Sequence, residues 1–102
     1  MWRPKYSGAL KTLLVSETNS YQCIDYAHIG TRFACAGKLP QVEVFDDATL
    51  AKVSEFKQSG SVGHHNRIFC VKFDSSNPNI IYSGGWDCTV SIWDTRVNRP
   101  AN

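Results

Sequence analysis

The side chains with the chemistry for catalysis or metal binding crowd into one stretch of the chain: His64, His65, Cys70, Ser83, Asp87 and Cys88. Histidine, serine and aspartate are the residue types of a hydrolase triad, in which an imidazole takes the proton of a hydroxyl nucleophile and a carboxylate orients the imidazole. That chemistry needs the nucleophile exposed beside an oxyanion hole, and a GxSxG elbow is one way to expose it. Ser83 stands instead in Ile81-Tyr82-Ser83-Gly84-Gly85, a strand-like run without that elbow, so no catalytic residue is expected. Of the four cysteines, Cys23, Cys35, Cys70 and Cys88, no two have the CxxC spacing of a zinc or redox site. His64 and His65 near Cys70, and His28 near Cys23, make only a weak metal pattern, and small buried thiols are the plainer reading. No metal and no cofactor are expected. The loop 57–67 contains Gly60, Gly63, His64 and His65 but lacks the GxxxxGK[ST] spacing and following helix of a phosphate cradle. Trp2, Arg3, Lys5 and Tyr6 interleave ring and base as single-stranded nucleic-acid binders do, yet four residues near a chain end read more simply as a loose tail.

The elements that must position these side chains belong to a chain of 102 residues, 42% hydrophobic and 20% charged, with a net charge of +2. Such a chain can build one modest core but has little room for a deep enzyme cleft. The charge is too mild, and the basic runs too short, to imply nucleic acid. The first fifteen residues break their apolar run at Lys11 and form no signal-peptide core, and nowhere do about twenty apolar residues follow one another as a spanning helix requires. The expectation is an intracellular protein, cytoplasmic or nuclear, with reduced thiols and no membrane partner.

Apolar residues alternate in short runs, as in Gln41-Val42-Glu43-Val44-Phe45 and Thr89-Val90-Ser91-Ile92-Trp93, which is the period of a strand. Turn formers separate the runs: Gly30, residues 37–40, Asp46-Asp47, residues 59–63, residues 74–79 and Gly84-Gly85. Leu50, Val53 and Phe56 after Asp47 fit a short capped helix equally well on local pattern. A shift of 48 residues resolves the ambiguity by laying residues 36–46 on residues 84–94, with Gly37 on Gly85, Val42 on Val90, Val44 on Ile92, Phe45 on Trp93 and Asp46 on Asp94. At a shift of 47, residues 23–26 fall on residues 70–73. The chain is therefore a repeat of about 47 residues, near the length of a four-stranded propeller blade.

Residues 63–96 resemble a WD repeat, from Gly63-His64 to Trp93-Asp94, with Ile68, Cys70, Val71 and Phe73 in a first strand, residues 81–84 in a second and Asp87 in the turn before a third. Residues 21–56 resemble a degenerate copy that ends in Phe45-Asp46. The resemblance implies an all-β fold of two antiparallel four-stranded β-propeller blades in an incomplete ring. Residues 10–56 would hold an outer strand and the degenerate blade, residues 57–96 three strands of the second, and residues 1–9 and 97–102 tails. It implies a structural hydrogen-bonded chain through His64, Ser83, Asp87 and Trp93. The same shift puts Cys35, Leu39 and Phe45 at the last three positions of the first repeat, which is then expected to rely on packing alone, with the aromatics between residues 21 and 82 in the core.

The function that the resemblance implies is a non-catalytic scaffold for protein-protein interaction, a fragment or short form of a longer propeller or a protomer that self-assembles to complete a ring. Trp86 reads either as a contact residue or as a ring leaning on a neighbouring blade. The run Trp93-Asp94-Thr95-Arg96 resembles the WD-x-R signature of substrate receptors in cullin-RING ubiquitin ligases, in which the arginine meets the adaptor, and the alternative for Arg96 is a solvated strand end. A metal-binding or hydrolytic module remains the reading from another functional class.

Overall fold

A computed structural model describes residues 19–28, 31–57 and 63–97. Seven strands lie in them: β1 (Tyr21–Tyr26), β2 (Arg32–Gly37), β3 (Gln41–Asp46), β4 (Lys52–Lys57), β5 (Ile68–Phe73), β6 (Ile80–Gly85) and β7 (Val90–Asp94). They form an antiparallel four-stranded sheet in the order β1-β2-β3-β4 and an antiparallel three-stranded sheet in the order β5-β6-β7. The chain is all-β, as the strand period implies. The outer strand expected near residues 10–15, the tail at 1–9 and most of the tail at 97–102 fall outside the described residues. No helix among the described residues is long and apolar enough to cross a membrane.

Residues 50–56, which local pattern left open to a helix, end in a strand. The Asp46 carboxylate accepts hydrogen bonds from the Ala48 and Thr49 amides at 2.8 and 3.0 Å, and the Leu50 amide closes back on the Asp46 carbonyl at 2.8 Å. Leu50 takes a left-handed φ of 60°, which ends any helical continuation and turns the chain back along β3.

The repeat is present in the backbone itself. A register shift between Tyr21 and Cys23 in β1 recurs between Ile68 and Cys70 in β5, 47 residues on. One bulge reappears at the matching position, which is how a conserved twist is built into a strand. Behind each bulge a glycine lets the neighbouring strand approach. A Cβ at Gly37 would lie 1.9 Å from the Ser20 carbonyl oxygen, and one at Gly85 would lie 2.7 Å from that of Arg67. Those two carbonyls accept the matching amides of Lys38 and Trp86, both at 3.0 Å. Gly37→Ala is therefore expected to destabilise the chain by about 3 kcal/mol, the upper range for forced overpacking. Gly84→Ala, whose Cβ meets only the movable Cys70 Sγ at 3.2 Å, is expected to cost much less. Melting of the two variants side by side checks the difference.

The sheets pack face to face. Ala34, Ala36, Val42, Val44 and Phe56 of the first sheet and Ile68, Val71, Phe73, Ile81 and Trp93 of the second form one buried cluster. Phe56 and Trp93 meet across the interface with ring centroids 5.4 Å apart. Asp25 of β1 accepts a hydrogen bond from the Phe73 amide of β5 at 2.7 Å. Successive side chains alternate between faces, so each sheet also has an outer face. On the first sheet that face carries Ile24, 61% exposed, and the exposed Tyr26. On the second it carries the exposed Tyr82 and Val90, the latter 74% exposed.

Those exposures correct one expectation. Tyr26, Phe69 and Tyr82 lie within residues 21–82 but outside the core, because each sits on a face or rim that the other sheet does not cover. Tyr26 instead ends a ladder of rings across the outer face, 5.4 Å from Phe33, which stacks at 5.4 Å on Phe45. Its hydroxyl donates to the Asp47 carboxylate.

Candidate functional site

His64 approaches the second sheet ahead of β5, Ser83 stands in β6, Asp87 in the β6–β7 turn and Trp93 near the end of β7. His64 Nε2 lies 2.7 Å from Ser83 Oγ, and its Nδ1 lies 3.1 Å from Asp87 Oδ1. Trp93 Nε1 donates to Ser83 Oγ at 2.7 Å. One assignment satisfies every atom: the indole donates to the serine oxygen, the serine hydroxyl donates to Nε2, and Nδ1–H donates to the carboxylate. Thr89, which the repeat did not single out because Gln41 holds the matching position, donates its hydroxyl to Asp87 at 2.8 Å. Asp87 also accepts the His65 amide at 2.7 Å. Burial opposes the charge on Asp87, but the His65 amide, the Thr89 hydroxyl and His64 outweigh it and hold the carboxyl far below its ordinary value.

These distances have the connectivity of a serine, histidine and aspartate triad, yet the geometry suits no nucleophile. Ser83 is 2% exposed, and its oxygen is held between the His64 ring and the Trp93 indole. A nucleophile must be presented to a substrate carbon. The metal pattern fares no better in space. Cys70 pairs with Gly84 and Val71 with Ser83, so the Cys70 thiol projects from the face opposite to His64 and Ser83. Among the described residues no three His, Cys, Asp or Glu side chains converge on a point that a metal ion could occupy.

The first sheet does not rely on packing alone. Glu43, in the middle of β3, is buried, and its carboxylate is saturated. Oε1 accepts the Tyr21 hydroxyl at 2.7 Å, and Oε2 accepts the amides of Gln41 at 2.8 Å and Asn19 at 3.1 Å. Lys52 Nζ lies 3.3 Å from Oε1. Asn19 in turn accepts the Leu39 amide at 3.0 Å, so the network reaches the β2–β3 turn. Burial would raise the Glu43 carboxyl, but donation from Gln41, Tyr21 and Asn19 and the charge of Lys52 together bring it below the ordinary glutamate value. Burial and the Glu43 bond push the Tyr21 hydroxyl well up. Burial likewise lifts the Cys35 thiol, across β2–β3 from Glu43, to about 11. The first sheet thus has a charged network of its own, while Cys35 and Phe45 hold the places of the second sheet's serine and indole. The shift of 48 residues lays Glu43 on Ser91, which belongs to none of the positions the resemblance marks.

Trp86 and Arg96 stand apart from the four-residue chain and from each other. Trp86 is 58% exposed on the β6–β7 turn, with Phe69 edge-on at 5.1 Å and the Arg67 guanidinium 4.8 Å from its ring centroid. Within this chain it leans on its own sheet. Arg96 forks onto Asp94, with Nε 2.9 Å from Oδ1 and Nη2 2.6 Å from Oδ2, and remains well exposed. The bonds from Arg96 hold the Asp94 carboxyl at about 2. Thr95, Arg96 and Val97 line one wall of an open groove whose other wall is β4, from Lys52 to Glu55.

Comparison with known proteins places this geometry. Residues 56–94 match the family described as WD domain, G-beta repeat. Over 87 residues the chain is 29% identical to the ribosome biogenesis protein YTM1 of Vanderwaltozyma polyspora, a match covering 83% of this chain and 19% of that protein. Over 80 residues it is 30% identical to the WD repeat-containing protein 1 of Bos taurus, covering 78% and 13%. Over 54 residues it is 37% identical to the guanine nucleotide-binding protein subunit beta of Solanum tuberosum, covering 53% and 14%. The matches span a fifth or less of the length of these relatives.

Proposed function

Because this is a WD-repeat chain, with its best-formed repeat at residues 56–94, we propose that it is a non-catalytic scaffold that binds other proteins through the outer faces and rims of two blades. The first blade takes in residues 10–56 and the second residues 57–96, with tails at 1–9 and 97–102. In this proposal the chain through His64, Ser83, Asp87 and Trp93 holds the second blade rigid. The four cysteines are free, which suits a reducing compartment inside the cell. Nucleic acid, membrane and cofactor have no part in the proposal.

The observation that carries it is the interface between the two sheets, used as a template. Val71 and Phe73 are buried against the first sheet, whereas Ile24 and Tyr26, which match them 47 residues earlier, are exposed. Val42 is fully buried against the second sheet, whereas Val90, which matches it 48 residues later, is exposed. At these positions each outer face leaves exposed what the inner interface buries, and apolar surface of that kind marks contact with a further partner. The partner is another blade of the same assembly, from a longer chain or from a second copy that completes a ring.

Ile24→Lys combined with Val90→Lys charges both faces at exposed positions. Proteins retained from cell extract by the 102-residue chain are expected to be lost with the double variant, while its β circular dichroism is unchanged. Equal retention by both would overturn the reading. A narrower form makes the chain a substrate receptor of a cullin-RING ubiquitin ligase. The fork onto Asp94 supports it, because it orients Arg96 and leaves three of its five N–H donors uncommitted among the described residues. Arg96→Ala should then abolish retention of the ligase adaptor, and adaptor retention unchanged by it would remove that form.

A further inference from the structure

We propose that Arg67, Phe69 and Trp86 form a docking site on the rim of the second blade for a protein segment carrying a carboxylate beside an apolar side chain. This rests on the reading of the chain as a protein-binding scaffold and names the chemistry of one partner.

The repeat supplies the argument. The matching positions of the first sheet are Ser20, Gln22 and Lys38, and that sheet makes the same bulge and the same backbone bond, Lys38 to Ser20 at 3.0 Å against Trp86 to Arg67 at 3.0 Å. The blade needs neither rings nor a guanidinium at these positions. Yet the second sheet holds two aromatic rings there, 58% and 40% exposed and in edge contact at 5.1 Å. Exposed rings that serve no packing need, clustered with arginine, have the composition of an interface hot spot.

Charge settles the class of ligand. Arg96, Lys52 and Lys57 are each paired with a carboxylate. Among the described residues no carboxylate pairs with Arg67. The adjacent acid, Asp87, is spent inward on the His65 amide, Thr89 and His64. The guanidinium instead lies over the Trp86 ring, 4.8 Å from its centroid. That contact holds the planar fork at the rim, where it can donate in parallel to a carboxylate, which an ammonium does not do. Side chains two apart in an extended segment share one face about 7 Å apart, so one acidic side chain can meet Arg67 while one apolar side chain meets the Phe69 and Trp86 rings.

The test uses the 102-residue chain and two blocked heptapeptides that differ only at the centre of Leu-Ser-Glu-Ser-Phe or Leu-Ser-Gln-Ser-Phe. Binding is followed by the Trp86 indole resonance, assigned by its loss in Trp86→Lys. The glutamate peptide is expected to bind about tenfold more tightly than the glutamine peptide, the scale of a hydrogen bond to a charged group. Added salt should narrow the gap. Transplanting the first-sheet residues as R67S, F69Q and W86K should leave the melting curve in place and abolish binding of fluorescein-labelled glutamate peptide read by anisotropy. Equal binding of both peptides, no binding of either, or labelled peptide held by the transplanted variant would overturn the site. None of those results touches protein retention through the outer faces. Equal retention by wild type and the Ile24→Lys/Val90→Lys variant, with peptide binding intact, would fault the scaffold reading of the faces alone.

Discussion

Trp93→Ala is expected to lower stability by roughly 3 to 5 kcal/mol, the range for truncating a large buried aromatic. Two losses combine in it. The indole is fully buried and packs against Phe56 at 5.4 Å, so its removal opens a cavity between the sheets. Its N–H also donates to Ser83 at 2.7 Å, and without it one lone pair of a buried hydroxyl loses its partner. A domain of this size is held by only about 5 to 15 kcal/mol, so the loss is a large part of the whole. Trp93→Phe separates the terms, because it keeps most of the packing and removes only the donor. Denaturant unfolding should rank wild type above Trp93→Phe and Trp93→Ala last. An alanine variant that unfolds with wild type would place Trp93 outside the core.

Glu43→Ala is expected to cost about 2 to 4 kcal/mol, the scale for leaving buried partners of a removed charge unsatisfied. The stranded groups are the Tyr21 hydroxyl and the amides of Asn19 and Gln41. Lys52 adds little, since its exposed ammonium can turn to water and still pair with Glu55 at 2.9 Å. The same network sets a pH dependence. The folded Glu43 carboxyl lies below its ordinary value, so its contribution is full above the unfolded pKa of about 4.3 and is lost as pH falls through the lower folded value. Wild type should therefore lose melting temperature on acidification from pH 5, and Glu43→Gln should lose less over that range. Identical acid slopes for the two would show that Glu43 titrates as freely folded as unfolded.

The fold was legible in the sequence because blades repeat. Local pattern could not choose between helix and strand for residues 50–56, and only the repeat of about 47 residues did so, because a unit of that length is a four-stranded blade and calls for a fourth strand there. The matched bulges at Tyr21 to Cys23 and Ile68 to Cys70 express in hydrogen bonds what Gly37 over Gly85 and Cys23 over Cys70 express in letters. What repetition could not carry was the chemistry in which the copies differ. Cys35, Leu39 and Phe45 signalled the loss of one polar chain. Nothing at those positions signalled its replacement by Glu43, because the partners come from Asn19, Tyr21, Gln41 and Lys52, scattered over β1, β3, β4 and the segment before β1. A glutamate in an alternating strand reads as solvent-facing until its donors are placed around it.

The rim was half legible for the same reason. Trp86 drew notice as a large ring beside a turn aspartate. Phe69 passed as core, since an apolar residue in a strand is ordinarily buried, and the bulge that turns it outward is a property of pairing with β6. Arg67 gave no signal in the sequence. Its place over Trp86 depends on the turn folding back over the start of β5, a contact between residues 19 apart.

The most direct test of the central claim, that both outer faces are contact surfaces, is the mass of the purified 102-residue chain by light scattering, with circular dichroism on the same sample. The account predicts a β-rich species well above the 11.4 kDa of one chain, reduced toward monomer with its β signal unchanged when Ile24 and Val90 are both replaced by lysine. A stable, β-rich monomer that stays monomeric at high concentration would contradict it, because the exposed Ile24, Tyr26, Tyr82 and Val90 would then need no partner.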